Sequence, residues 1–283
     1  MLKPVWLKTR PPSGAKFLEL KRNIAELGLN TVCIGARCPN VGECWTHGTA
    51  TFMILGSVCT RNCRFCAVKK GKKGEPSDPS EPGRIAQAVE KMGLKYVVLT
   101  SVDRDDLPDG GAGHFACCIQ AIKSLGDNLT VEVLIPDLGG DEQRLRTIIN
   151  AHPDVVGHNI ETVRELQASV RDRRAGYDLS LEVLKKAKRI SSSIYTKSSL
   201  MLGLGEAEGM VIKTMDDLRS AGVSILTLGQ YLRPSAMQLE VKEYISPEKF
   251  ACYKKKALER GFISVMSGPL VRSSYMAGMS SKD

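Results

Sequence analysis

Aromatic residues are scarce in this sequence, at 5% of 283 positions. A module that grips nucleic acid by stacking interleaves aromatics with its basic residues. An RNA-associated zinc module is therefore disfavoured, although the formal net charge is +9. Long hydrophobic runs are lacking as well. The longest, such as "YVVL" and "VEVLI", are strand-sized and flanked by charge, too short for a transmembrane helix. The opening "MLKPVWLKTRPPSG" has no apolar signal core, and its prolines argue against a transit helix. No repeat of solenoid period and no low-complexity tract is present. The expectation is a soluble, cytoplasmic chain that engages neither membrane nor nucleic acid.

Cysteine, by contrast, is plentiful. There are nine, an odd number, and six fall between residues 33 and 66. A secreted disulfide framework spreads an even number along the chain, whereas clustered thiols in a reducing compartment bind metal or do chemistry. Basic residues come in short groups, "KKGKK" (69–73), "KKAKR" (185–189) and "KKK" (254–256). Each taken singly reads as a solvated face, but together they suggest an acidic partner.

With 42% hydrophobic residues the chain can bury a large single core. Strand-like runs lie at 51–57, 95–101, 129–136, 154–160, 198–204 and 223–230. Helix-like stretches separate and follow them at 82–93, 112–125, 141–151, 178–190, 208–221 and 247–260. Gly93, Gly126, Gly222 and Gly261 stand where helices should stop. Strands apolar nearly throughout, alternating with helices, predict an α/β fold with a parallel sheet. Six units fall short of the eight that close a barrel, so a partial (β/α)6 TIM-type barrel is expected. The barrel would span residues 51–261, with an N-terminal extension (1–50) and a C-terminal extension (262–283) packed against it.

"SVCTRNCRFCAV" places Cys59, Cys63 and Cys66 in the loop after the first strand, where barrel enzymes carry their chemistry. The spacing lets one loop present three thiolates to three corners of an iron–sulfur cube, leaving the fourth iron open to a small ligand. The alternatives are a zinc site completed by a distant residue, and chance. A second triplet, Cys33, Cys38 and Cys44 in "VCIGARCPNVGEC", sits in a Gly/Pro/Asn-containing loop and suggests another cluster, with zinc as the other reading. Cys117, Cys118 and Cys252 lie on predicted helices and read as buried small hydrophobes.

The cysteine loop, with Phe65 just before its last thiol, resembles the signature of the radical S-adenosylmethionine (SAM) enzymes. "VCIGARCPNVGECW", "GTATFMILGSVCTRNCRFCAV", "TSVDRDDLPDGGAGHF", "HNIETV", "LGLGE", "LTLGQYLRPS" and "GPLVRSSY" together are similar, in order and across nearly the whole chain, to the lipoyl synthase family. Another radical SAM enzyme would share the loop at 59–66 without needing the first triplet or "RSSY", and both are present. The resemblance implies a radical SAM barrel with two 4Fe–4S clusters. Cys59, Cys63 and Cys66 would hold the cluster that binds SAM. Cys33, Cys38 and Cys44 would hold an auxiliary cluster whose fourth ligand is Ser274, flanked by Arg272 and Ser273. The implied reaction inserts two sulfur atoms at carbons six and eight of a protein-bound octanoyl-lysine. It uses two SAM molecules per turnover, with the auxiliary cluster as sulfur donor. An alkyl carbon has no useful acidity and no leaving group, so acid–base catalysis has nothing to act on and a cofactor must supply a radical.

By the same resemblance Phe65, Thr100, Asp103, Asn159, Glu161, Gly203, Gly205 and Glu206 are candidate SAM contacts, while Ser274 and Arg272 are candidates for the chemistry itself. Asn159 and Glu161 are equally readable as a polar strand end capping a helix. Lys197 and Arg233 are candidates for substrate, and His158 is either packed or a contact. Three features depart from the family pattern: Ser199 where glycine is common, an arginine-rich "SVRDRRAGYD", and only eight residues after Tyr275. The implied partners are octanoylated acidic lipoyl carrier domains or carrier protein, and a reducing electron donor such as ferredoxin or flavodoxin. The net charge would steer such acidic partners.

Overall fold

In the computed structural model the described residues are 3–8, 15–35, 38, 40–46 and 50–275. Seven strands form one parallel sheet: β1 (Ala50–Ile54), β2 (Tyr96–Ser101), β3 (Thr130–Leu134), β4 (Val155–Gly157), β5 (Tyr195–Leu202), β6 (Ile225–Gln230) and β7 (Ser264–Gly268). Each pairs with the next in chain order, as successive β–helix–β crossovers dictate. The crossovers are α1 (Glu81–Lys91), α2 (Ala112–Lys123), α3 (Glu142–Ile149), α4 (Tyr177–Ile190), α5 (Glu208–Ser220) and α6 (Pro247–Glu259). All six predicted helices form, and Gly93, Gly126, Gly222 and Gly261 follow the ends of four of them with positive φ. The sheet runs one strand further than expected. Residues 264–268, assigned to a C-terminal extension by sequence, are its seventh strand; residues 276–283 lie outside the described residues.

Alternation along the strands sorts the two faces. Phe52 and Ile54, Val97 and Leu99, Val131 and Val133, and Leu226 and Leu228 point outward into the cores beneath the helices. The helices answer with residues at helical spacing, for example Phe115, Cys118, Ile119 and Ile122 of α2. This spacing also corrects the reading of two of the three helix cysteines. Cys118 falls on the buried stripe, but Cys117 and Cys252 lie beside it and are exposed. The inner face is more polar than the sequence suggested, with Thr51, Thr100, Glu132, Lys197, Ser199 and Thr227 all buried. Its floor is a network in which Tyr96 Oη donates to Glu132 at 2.6 Å and Lys197 Nζ donates to both Glu132 oxygens at 2.8 and 2.9 Å.

Among the described residues β1 and β7 do not pair, so the sheet stays open between them. The two ends of the chain meet at this seam. Thr31 bridges to Phe52 of β1. Asn40 Nδ2 donates to Leu270 O at 2.5 Å, Thr51 Oγ1 of β1 donates to Ser274 Oγ at 2.9 Å, and Tyr275 Oη donates to Glu43 at 3.1 Å. Backbone closeness fixes the path of the C-terminal turn. A Cβ on Gly229 of β6 would stand 2.1 Å from Val271 O, so only glycine lets that chain cross.

Candidate active site

β1 ends in a sharp reversal. Leu55 and Gly56 both take positive φ, at 67° and 88°. For leucine that backbone is costly, and it is held from both sides. The Leu55 N–H donates to Glu81 at the start of α1 at 3.0 Å, and Arg104 donates to Leu55 O at 3.1 Å. The reversal launches the cysteine loop across the C-terminal ends of the strands. A short parallel pair, Val58–Cys59 with Lys69–Lys70, closes its base, and Lys70 Nζ clamps the carbonyls of Cys63 and Cys66 at 3.3 and 3.0 Å.

Cys59, Cys63 and Cys66 line one cavity of about 350 Å³. Each sulfur meets a backbone N–H. Arg61 N donates to Cys59 Sγ at 3.4 Å, Asp172 N donates to Cys63 Sγ at 3.3 Å, and Val68 N faces Cys66. Such donors steady thiolate charge in iron–sulfur sites. Without metal, burial pushes the Cys59 thiol up to about 12, reinforced by Asp103, and the Cys63 thiol up to about 11. Burial raises Cys66 too. Loading metal here must therefore release protons.

The rest of the cavity wall comes from the inner face and the loops above it. Apolar Val32, Met53, Leu134, Ile135, Leu200, Met201 and Val271 supply surface for an alkyl chain. Of the candidate contacts Phe65, Thr100, Asp103, Asn159 and Glu161 line it, and so does Ser199. Thr100 spends its hydroxyl on Leu134 O at 2.9 Å. Asp103 sits 3.3 Å from Arg61, yet burial pushes its carboxyl up. Glu161 has φ 67°, held by backbone bonds from Glu161 N to Ser199 O and from Met201 N to Glu161 O. Burial raises its pKa, and Asn159 Nδ2 donates to it at 3.1 Å.

Other candidates do not reach the cavity. Gly203, Gly205 and Glu206 are absent from its wall. Glu206 folds back to accept from the N–H groups of Gly203 and Leu204, at 2.5 and 2.9 Å. Lys197 is committed to Glu132 in the barrel floor, and Arg233 donates to the carbonyls of Gln238 and Ala236. His158 lines the cavity but is packed. Its Nδ1 faces Ile135 O at 2.9 Å, so that nitrogen carries the proton, and Nε2 faces Ser180 Oγ at 2.9 Å. Burial, aided by Arg171, lowers its pKa to about 4.

Four charged residues of the cavity wall were not individually singled out in the sequence: Arg61, Lys70, Asp137 and Arg171. Arg61 is buried among Asp103, Asp105 and Asp137, with 2.7 Å from Nη2 to Asp137 and 2.8 Å to Asp105. Burial works against its charge, but the carboxylates outweigh it and raise the pKa. Arg171 is buried and donates to Ser180 Oγ at 2.8 Å. The only sequence signal for either was an arginine inside a motif already chosen for its cysteines or its basic excess.

Cys33, Cys38 and Cys44 converge on a second, smaller cleft together with Asn40, Val41, Thr51, Arg272, Ser274 and Tyr275. Burial raises the Cys33 and Cys38 thiols; a backbone N–H from Asn40 and the nearby Arg272 partly offset this at Cys38. The buried Trp45 indole N–H lies beside the Cys33 thiol and works against the rise that burial imposes on it. Thr51, Arg272 and Ser274 line both clefts.

Residues 53–218 match the profile of the Radical SAM superfamily, and residues 2–38 match the N-terminal domain of lipoyl synthase of that family. Curated lipoyl synthases of Thermus thermophilus and Anaeromyxobacter sp. are each 55% identical to this chain over 97% of its length, covering 85% and 93% of their own. The chain belongs to the lipoyl synthases. It is thus a radical SAM enzyme that inserts sulfur into an octanoyl chain, works with a 4Fe–4S cluster and SAM, and takes an octanoylated carrier as substrate. Among solved structures, methylornithine synthase superposes with a TM-score of 0.60 at 13% identity, covering 77% of this chain and 63% of that one. The FeFe-hydrogenase maturase HydG of Carboxydothermus hydrogenoformans gives 0.60 at 18%, covering 77% and 52%. At such identities these two bear on the fold alone. No helix among the described residues is long and apolar enough to cross a membrane.

Proposed function

We propose that Cys59, Cys63 and Cys66 hold the cluster that binds SAM, and that Cys33, Cys38, Cys44 and Ser274 hold a second cluster that supplies the sulfur. The shared wall of the two clefts carries this reading: Thr51, Arg272 and Ser274 stand between the alkyl-sized cavity and the second cysteine triplet. The donor sets fit the groups. Three backbone N–H groups face the three thiols of the first site, and the buried Trp45 N–H faces the Cys33 thiol of the second. When bound, these groups supply a 5′-deoxyadenosyl radical to remove hydrogen from the alkyl chain, and sulfide to replace it.

The chain's own residues do the rest. The apolar wall holds the octanoyl chain and keeps water away, while Asn159, Glu161, Asp103 and the backbone at Thr100 bind the polar ends of SAM. Thr51 donates to Ser274 Oγ and steadies negative charge on that oxygen when it serves as ligand. An oxygen ligand suits iron less well than thiolate does and is released more readily when sulfur leaves. Functionally the chain divides into residues 1–49 with the second triplet, the barrel of 50–268, and the segment after it with Ser274. Basic surface steers the acidic carrier, a ferredoxin or flavodoxin supplies electrons, and the reaction runs in the reducing cytoplasm.

The test is anaerobic reconstitution followed by iron and sulfide counting, then addition of SAM and an octanoyl-lysyl peptide. Two clusters require about eight irons per chain, with 5′-deoxyadenosine and a dithiolated product. Zinc in place of iron would overturn the proposal, as would full activity of Ser274→Cys.

A further inference from the structure

The cysteine loop has two sides. Arg61, Phe65, Ala67 and Lys70 face the cavity with the thiols. Asn62, Arg64 and Lys69 do not line it and are exposed. Laid against the outer side is the arginine-rich segment that departs from the family pattern. It divides in the same way: Arg171 and Ala175 line the cavity, whereas Arg173 and Arg174 are exposed outside it. Contact with the loop is direct, because Asp172 N donates to Cys63 Sγ at 3.3 Å, Asp172 accepts from Asn62 N at 2.7 Å, and Arg174 donates to Thr60 O at 2.6 Å. Cys63 itself is only half-buried.

Charge on this outer side is positive and largely unspent. Arg174 is neutralised by Asp172 and Asp105. Arg64 donates only to a carbonyl, Ser169 O, and neither Lys69 nor Arg173 forms an ion pair among the described residues.

From this arrangement we infer that the outer face formed by Arg64, Lys69 and Arg173 docks a small acidic one-electron donor protein. The inference rests on the assignment of Cys59, Cys63 and Cys66 to the SAM cluster. The inner side of that cluster is taken up by cavity, so an electron from a protein must enter through the outer side, where Cys63 is half-buried and in contact with the arginine-rich segment. In the step the donor loses one electron and is oxidised, the cluster is reduced by one, and that electron then breaks a carbon–sulfur bond of SAM to leave methionine and the 5′-deoxyadenosyl radical. An acyl carrier is the other acidic candidate, but an acyl-lysine arm presented here would meet the loop rather than the cavity.

The experiment compares SAM cleavage driven by a reduced flavodoxin with cleavage driven by dithionite, in the reconstituted protein. Lys69→Glu with Arg173→Glu disturbs no hydrogen bond seen in the structure, and Arg64→Glu is added in a second variant. Flavodoxin-driven formation of 5′-deoxyadenosine should fall about tenfold at low salt for the double variant, and the deficit relative to the parent should shrink as ionic strength rises. Dithionite-driven cleavage should be unchanged. An unchanged flavodoxin rate overturns the inference. So does a loss confined to octanoylated carrier domain under dithionite with octanoyl-lysyl peptide unaffected, which would give the face to the carrier. Absence of dithionite-driven cleavage in the parent protein would instead overturn the cluster assignment.

Discussion

Removing the Lys197 charge isolates what the barrel floor does. Lys197 is 4% exposed and Glu132 2%, so their pairing is a buried one, and Nζ reaches both carboxylate oxygens within 2.9 Å. Lys197→Met keeps the stem and deletes the ammonium. Glu132 then stays buried with only the Tyr96 hydroxyl to balance it. Stripping one partner from a buried pair costs about 3–5 kcal/mol, because the remaining charge has lost its compensation. For a chain of this size each kcal/mol lowers the melting temperature by about 2–4 °C, so thermal unfolding of the reconstituted protein should drop by roughly 6–20 °C. Adding Glu132→Gln to Lys197→Met neutralises the stranded charge while Tyr96 keeps an acceptor, and should recover most of the loss. The double-mutant cycle should show a coupling of about 1–3 kcal/mol. On folded protein well below the transition, dithionite-driven SAM cleavage and KM for the octanoyl peptide should match the parent, since neither residue lines the cavity. Lys197→Met with parental stability and a raised KM would refute the reasoning and return Lys197 to the substrate.

Two further outcomes follow from the geometry. Gly229→Ala puts a Cβ 2.1 Å from Val271 O and must displace the turn that carries Ser274. Iron content should fall from about eight to about four, with the first cluster's SAM cleavage retained and sulfur insertion lost; loss of both clusters would count against the separation of the sites. His158 is held at about 4 in the folded protein against its ordinary 6.5, so the unfolded chain binds the extra proton between those values. Its contribution is complete above pH 6.5 and is lost as pH falls toward 4, amounting to about 3 kcal/mol. Urea unfolding at pH 7.5 and pH 5 should show a drop in the parent that His158→Gln lacks, and equal pH dependence in both would be the contrary result.

Most of the barrel was legible because its signals are local. Helix periodicity and the glycines that end helices are written within a few residues, so six crossovers stand within a residue or two of their predicted bounds. "SVMSG" of β7 carries too little hydrophobic pattern to read as a strand, and only its pairing with Ile225–Gly229 makes it one. The grouping of both cysteine triplets was readable from spacing, but the loop expected around the second was not borne out: Cys33 and Cys44 sit on short helices, Val32–Gly35 and Val41–Thr46. Partners far apart in sequence were not legible. Lys197 looked available for substrate because nothing near it in the chain announces Glu132, 65 positions away. Glu206 looked like a ligand contact, yet it closes its own turn on Gly203 and Leu204. Cys117 and Cys252 were misread for a different reason: small apolar residues on a helix are buried only if the stripe passes through them, and a one-residue offset turns them to solvent.

The open seam between β1 and β7 explains how the two cysteine-lined clefts come to share a wall. Pairing along the outer edge of β1 would set a strand where the two chain ends now meet. With that edge carrying only the Thr31–Phe52 bridge among the described residues, residues 31–35 and 40–44 come in from the N-terminal side and 270–275 from the C-terminal side, joined through Asn40 to Leu270 and Tyr275 to Glu43. The Thr51 side chain, pointing inward from β1, is then reached by Ser274. One residue of the barrel wall thereby belongs to both clefts. A cleft placed anywhere else on the outside would be separated from the cavity by a helix layer and a sheet. At the seam, Thr51, Arg272 and Ser274 line both. Incompleteness of the barrel is thus the feature that lets the cleft of the second cysteine triplet open beside the alkyl-sized cavity.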